Sequence, residues 1–385
     1  LNRKIKALAL FLLLYPILAH ALPQESARAG FGRGVNYKID CGAPEFPDDA
    51  ACDSSNMLGD VLGNANKRGG SRRFIAQAVS TQPANSLYRG YASTTSVISK
   101  ALLMTSGDRI YASTDDAQWI VISSGLATNQ HYKFAGMNGL VIMAGQESTE
   151  PVKAYNILSG SMTNLVENDS STDTVLVRGK YPLASKGYLL LGNCADLTDG
   201  TTRYMSRVYY SKLVDGLTII RPSSFTALRW LDFDPENGEE ITGMGELFGR
   251  IHIFKPSTIY ELEFTALNLR AAGGDQTVDA IAQFGLIAPR TLANTGQAYI
   301  GLSKDGIFQW DGSRKSRLEV KQEKSIISDD IESIIKDIIR NGTYANCVGY
   351  YYPRRQYYLF AYEDANRMPK GRANAALAYD LITGQ

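Results

Sequence analysis

Residues 298–310 read AYIGLSKDGIFQW. An apolar run, the pair Asp305-Gly306 and a second apolar run describe a β-hairpin, because Asp-Gly tolerates the positive φ that both central residues of a type I′ turn require. That turn sets Lys304 opposite Ile307, Ser303 opposite Phe308, Leu302 opposite Gln309 and Gly301 opposite Trp310. One face then carries Ile300, Leu302 and Ile307, and the other Tyr299, Phe308 and Trp310. A hairpin with two apolar faces belongs in a sheet covered on both sides, the position of a propeller blade between its neighbours.

Outward from this hairpin the same texture continues. Short β-patterned runs such as SLYRGYAS, DRIYAST, WIVISS, GLVIMAG, GYLLLGN, RVYYSK, GRIHIFK, TIYELEF and QYYLFAYE are separated by turn residues. Apolar strands begin near 139, 187, 249, 298 and 357, a recurrence of roughly 50 to 60 residues that matches one four-stranded blade with its loops. The expected fold is therefore all-β, a propeller-like array of short antiparallel strands; a jelly roll or a pair of sandwiches is the alternative spacing. One helix interrupts it, over about 328–340, where Ile331, Ile334, Ile335, Ile338 and Ile339 form a stripe that should pack on the flank of the sheets. Ser328 or Asp329 caps its start, Asn341-Gly342 stops it, and Arg340 suits its negative end.

The chain has 385 residues with 40 Lys and Arg against 39 Asp and Glu, so no global field draws it to nucleic acid or an anionic membrane. With 35 Gly, 22 Tyr and only 3 His, the composition favours turns and half-buried strands and offers little imidazole for acid-base or metal chemistry. Residues 1–21 read as a secretory signal: Arg3, Lys4 and Lys6, an apolar run from Ala7 to Leu18, and Ala19-His20-Ala21 as a cleavage site. Residues 22–80 read as an extended N-terminal arm and 81–385 as the propeller-like domain. After export Cys41, Cys52, Cys194 and Cys347 permit two disulfides, with Cys41–Cys52 closing a short loop; four independent thiols fit the sequence as well. No pair has CxxC spacing and no His lies near one, which argues against zinc.

Candidate chemistry is sparse. Glycosidase carboxylates would come from Asp232, Asp234, Glu236, Glu239 and Glu240 in LDFDPENGEE, since that reaction needs two acids across one bond. A solvated acidic loop is the plainer reading, and as a calcium loop the segment lacks the distal Glu. His131 and His252 stand alone, His252 reading as a surface-facing alternation partner between Ile251 and Ile253. Lys67, Arg68, Arg72 and Arg73 could touch phosphates but read more simply as a solvated turn. Asn168-Asp169-Ser170 and Asn341-Gly342-Thr343 match the glycosylation sequon. No GxSxG, Walker or GxGxxG motif occurs, so catalytic, cofactor-binding and metal residues are all expected to be none.

Two resemblances carry further expectations. LSKDGIFQW and, less closely, STDDAQW (113–119) resemble the Asp-box hairpin of sialidases and many non-enzymatic propellers, where Ser and Asp bind the turn backbone and play no catalytic part. The order NKRGGSRR, SLYRGYAS, HYKFAGMNGLVIMAGQ, RVYYSKLVDG, ITGMGELFGRIHIFKPSTIYEL, GLIAPRTLANTGQAYIGLSKDGIFQWDG, the Ile helix and YYYPRRQYYLFAYED resembles the tail or head-tail-connector propeller proteins of tailed bacteriophages, nozzle proteins among them. This likeness implies a virion structural protein that forms a ring homo-oligomer around the DNA channel, beside other tail or portal proteins, with no small-molecule substrate and no catalysis. It also implies a further strand after ALAYDLITGQ, hence a C-terminally truncated propeller. If the leader is used, the location is periplasmic or secreted, and a secreted propeller that binds or hydrolyses glycans is the competing reading.

Overall fold

A computed structural model describes residues 57–59, 65–67, 74–75, 77, 79–94, 96–128, 130–145, 150–165, 175–211, 225, 229–262, 278–314, 326–367 and 371–382. The signal at 1–21, Cys41, Cys52, Arg68, Arg72, Arg73 and the sequon at 168–170 lie outside the described residues. The chain divides into two compact units, Leu1–Arg68 and Gly69–Gln385. In the first, β1 (Met57–Gly59) pairs antiparallel with β2 (Ala65–Lys67).

In the second unit six small antiparallel sheets follow one another along the chain in a propeller arrangement. The first holds β3 (Ala84–Ser93), β4 (Ile98–Ser106), β5 (Arg109–Ser113) and β6 (Ile120–Ser123). The second holds β7 (Tyr132–Met137), β8 (Leu140–Gly145), β9 (Lys153–Asn156) and β10 (Met162–Asn164). The third holds β11 (Gly179–Ser185), β12 (Tyr188–Ala195), β13 (Arg203–Tyr210) and β14 (Trp230–Asp232). The fourth holds β15 (Gly243–Leu247), β16 (Arg250–Phe254), β17 (Ile259–Leu262) and β18 (Val278–Ala282). The fifth holds β19 (Ala293–Asn294), β20 (Tyr299–Ser303) and β21 (Gly306–Trp310), and the sixth β22 (Val348–Tyr352), β23 (Tyr357–Tyr362) and β24 (Ala375–Asp380). Every strand pair in the six sheets joins consecutive strands, which excludes the long-range pairings of a jelly roll. The strands whose starts set the sequence period are β8, β12, β16, β20 and β23, the second strand of five successive blades.

Apolar seams lie between consecutive sheets. Leu103, Ile110, Val141 and Met143 fill the first seam, and Ile142, Leu189, Leu191 and Tyr209 the second. Leu190, Val208, Ile251 and Ile253 fill the third, Phe254, Tyr299, Phe308 and Trp310 the fourth, and Ile300, Leu302, Ile307, Tyr358 and Phe360 the fifth. Among the described residues no core cluster joins the sixth sheet to the first. The outward row of the sixth sheet, Tyr350, Leu359 and Ala378, is in register but bare, with Tyr350 60% and Leu359 36% exposed. On the outward face of the first sheet Leu87 and Tyr91 are each 61% exposed.

The hairpin at 298–310 has the two faces expected of it but a different register. Ser303 pairs with Gly306, Leu302 with Ile307, Gly301 with Phe308 and Tyr299 with Trp310, so Lys304-Asp305 form the loop. The positive φ falls on Gly306, at 141°, instead of on the pair Asp305-Gly306. The reason is local: Ser303 Oγ accepts from Asp305 N and donates to Gly306 O at 2.8 Å, closing the turn one residue earlier. Pairing moved by one residue on each strand, so side-chain parity and both faces survived.

The helix forms as a 3-10 turn, Asp329–Ile331, running into α1 (Glu332–Arg340). Ile335 and Ile338 are buried on the fifth seam beside Leu302 and Ile307. Neither expected cap is used: Ser328 makes no cap bond, because its Oγ accepts from Ile307 N at 3.0 Å. Lys336 pairs with Glu332 one turn away, at 2.8 Å.

Candidate functional site

The five candidate carboxylates do gather on one loop, where β14 runs into a 3-10 turn at Pro235–Asn237. Beneath them lies Lys255, fully buried at the end of β16. Its ammonium donates to Asp234 O at 2.9 Å, Asn237 Oδ1 at 2.9 Å and Ser206 Oγ at 3.2 Å. Burial pulls the Lys255 pKa down while the Asp234 and Glu239 charges partly restore it.

Four of the carboxylates are held by donors of the fold itself. Asp232 accepts a bidentate pair from Arg207 at 2.8 and 2.9 Å, and that guanidinium stacks over the rings of Tyr204 and Trp230 at 3.7 and 3.8 Å. Asp234 accepts from Tyr260 Oη and Asn237 Nδ2, each at 3.0 Å. Glu239 accepts from the Ser257 hydroxyl at 2.6 Å, and Glu240 from Asn193 Nδ2 at 2.7 Å and Lys180 at 3.2 Å. Glu236 stands exposed in the turn. A cavity of about 180 Å³ borders the loop, lined by Arg203, Tyr204, Ser206, Asp232 and Glu239 among others. Small-molecule pockets run to about 300–1,000 Å³, so this one is small. The arrangement braces the third sheet to the fourth. Among the described residues no group of three or more His, Cys, Asp or Glu side chains is placed to hold a metal ion.

His252 is 1% exposed, which corrects the surface-facing reading. Alternation along β16 gives no outside face, since both faces of the fourth sheet lie in seams; the imidazole packs edge-on to Tyr299 and Trp310. Its Nδ1 meets Tyr299 Oη at 3.2 Å, and burial pushes its pKa down to about 4 against the opposing pull of Glu261. Cys194 and Cys347 are buried free thiols, each raised by burial to about 12. They are not joined to each other or to another cysteine, so of the permitted pairings only Cys41–Cys52 is left, outside the described residues. At the looser hairpin, Asp115 Oδ1 accepts from Ala117 N and Gln118 N, and Ser113 Oγ reaches the same oxygen at 3.3 Å.

A second cluster escaped the sequence reading. Residues at the beginnings of four sheets meet: Asn85 in β3, His131 just before β7 and Lys133 within it, Pro289 and Arg290 before β19, and Asn346 before β22. Lys133 Nζ donates to Pro289 O at 2.8 Å, Arg290 donates to His131 Nε2 and to Asn346 O, and His131 Nδ1 lies 2.8 Å from Asn85 O. Burial and the Arg290 charge push the Lys133 pKa down to about 8. The signal was there in HYKFAG and GLIAPRT, each with a single Lys or Arg at the beginning of a sheet.

No family model and no curated protein matches the sequence. Solved structures match at low identity. Raptor from Chaetomium thermophilum gives a TM-score of 0.34 at 13% identity, covering 60% of this chain and 20% of that one. The Pan2 WD40 domain of Neurospora crassa gives 0.33 at 9% identity, covering 60% and 63%. The N-terminal domain of Nup159 gives 0.35 at 8% identity, covering 56% and 59%. The chain spans less than two thirds of the length of each of these. What the chain has in its own right is a six-bladed β-propeller fold, read from its six consecutive sheets.

Proposed function

We propose that the protein is a bacteriophage tail or head-tail-connector component that builds a ring of identical subunits around the DNA passage, working by subunit contact and without catalysis. The observation that carries this reading is the pair of end faces of the six-sheet series that no core cluster covers: on one, exposed Leu87 and Tyr91 flank the Arg89–Asp116 ion pair, and on the other Tyr350 and Leu359 are exposed. Large exposed apolar patches mark interaction sites. The two faces differ, so the sixth sheet of one copy against the first sheet of the next is a head-to-tail contact, the kind that closes into rings. The order of segments shared with phage connector propellers supports the same reading. Lys133, His131 and Arg290 meet across the inner strand entries, so DNA would pass through the lumen between copies and not through one propeller. The four braced carboxylates weigh against glycan hydrolysis, which needs two acids turned to substrate.

Light scattering and negative-stain imaging of the purified chain test the proposal. Rings are expected for the wild type, and a folded monomer for Tyr350→Lys combined with Leu359→Lys. A wild type that stays monomeric at every concentration, or a double variant that still forms rings, overturns it.

A further inference from the structure

The cluster at the inner strand entries has an unusual charge balance. Arg290 has no acceptor atom, so its contact with His131 Nε2 makes that nitrogen the acceptor and leaves the proton on Nδ1, donated to Asn85 O. The imidazole is therefore neutral, and its pKa is depressed by burial and by the Arg290 charge. Lys133 and Arg290 thus spend their bonds on Pro289 O, Asn346 O and a neutral ring, and among the described residues neither forms an ion pair with a carboxylate. Glu363, which reaches the cluster through Asn346, is engaged by Asn346 Nδ2 at 2.7 Å and Gly371 N at 2.6 Å. Lysine offers three N–H donors and arginine five, so the one bond that Lys133 donates and the two that Arg290 donates among the described residues leave donors of both cations in hand. Both residues are half-buried, so their charged ends are at least partly stripped of water. A cation drawn partly out of water without a counter-charge is costly, and a bound anion offsets that cost.

We propose that Lys133 and Arg290 bind a small oxyanion of the phosphate or sulfate class between the entries to the second and fifth sheets. Oxygen atoms of such an ion take the unused N–H donors, with the guanidinium presenting its planar fork. His131 and Asn346 act as positioning residues that aim Arg290. Bound there, the ion ties the second, fifth and sixth sheets together, which a separate chloride atmosphere would not do.

Calorimetric titration of the full chain with inorganic phosphate at pH 7, against sodium chloride of equal ionic strength, tests this. Lys133 remains largely charged at that pH, given its value of about 8. Saturable phosphate binding with a rise in thermal midpoint is expected, absent with chloride. Arg290→Lys keeps the charge but loses the fork and should weaken phosphate binding about tenfold. Lys133→Met removes an unpaired cation, so it should fold and lose the phosphate response. Equal effects of phosphate and chloride on the wild type, which requires no variant to fold, overturn the site; so does a variant that answers phosphate as the wild type does.

Discussion

Gly306 shows how one missing carbon fixes a local structure. Its φ of 141° is unfavourable for a residue with a Cβ, and a Cβ there would lie 2.7 Å from Ser328 Oγ and 2.8 Å from Ile326 Cγ2. Ser328 needs that closeness, because its hydroxyl holds Ile307 N. Gly306→Val should therefore cost about 2–4 kcal/mol, read as a lower urea midpoint. Asp305→Asn, at a half-buried loop position where the backbone N–H bonds Ser303 Oγ and the Asn side chain keeps the shape of the Asp, should cost well under what Gly306→Val costs in the same measurement. His252 yields a pH prediction of definite sign. Its folded pKa of about 4 lies below the unfolded 6.5, so in that window the unfolded chain binds a proton that the folded chain refuses. Stability from this group is full above pH 6.5 and declines as pH falls toward 4, by an amount on the order of a few kcal/mol. His252→Phe should flatten that part of a thermal-midpoint profile; an unchanged slope removes His252 as its cause.

At the scale of elements, α1 is anchored by two side chains. Ile335 and Ile338 are buried, whereas Ile331, Ile334 and Ile339 are only partly so. Ile335→Ala or Ile338→Ala should cost about 2–4 kcal/mol, and Ile334→Ala less, in denaturant unfolding followed by circular dichroism. The acidic loop depends on Lys255 in a similar way. Lys255→Met removes the donor shared by Asp234 O, Asn237 Oδ1 and Ser206 Oγ, and should speed proteolytic cleavage at residues 233–240 before the rest of the chain unfolds. These elements also show what was legible in the sequence. The isoleucine stripe and the blade period were readable because burial imposes a period on the chain, and the faces of the hairpin followed from parity alone. Register was not, because Ser303 and Ser328 decide it through bonds to backbone atoms, one of them 21 residues away. His252 was misplaced for a related reason: alternation marks an outside face only where a sheet has one. The inner cations were missed because Lys133 and Arg290, 157 residues apart, become neighbours only after the sheets assemble.

Considered whole, the propeller-arranged unit is a series of sheets in which inner members have two apolar seams and end members one. The fourth sheet buries Ile251 and Ile253 in one seam and Phe254 and Ile259 in the next. The sixth buries Tyr358 and Phe360 on one side only, with Tyr350 and Leu359 bare on the other. In such a near-neighbour architecture local opening is easiest where seams are fewest. Amide hydrogen exchange should therefore be fastest in β3–β6 and β22–β24 and slowest in β11–β17 when the chain is dilute. If copies join through the bare faces, raising the concentration should protect the two end sheets selectively and leave the middle sheets unchanged. Uniform protection across all six sheets at low concentration would show that the series is closed within one chain, and the outward rows of Leu87 and Leu359 would then need another explanation. Selective protection of the ends, lost again in Tyr350→Lys with Leu359→Lys, would tie the assembly to the two faces that the five seams leave uncovered.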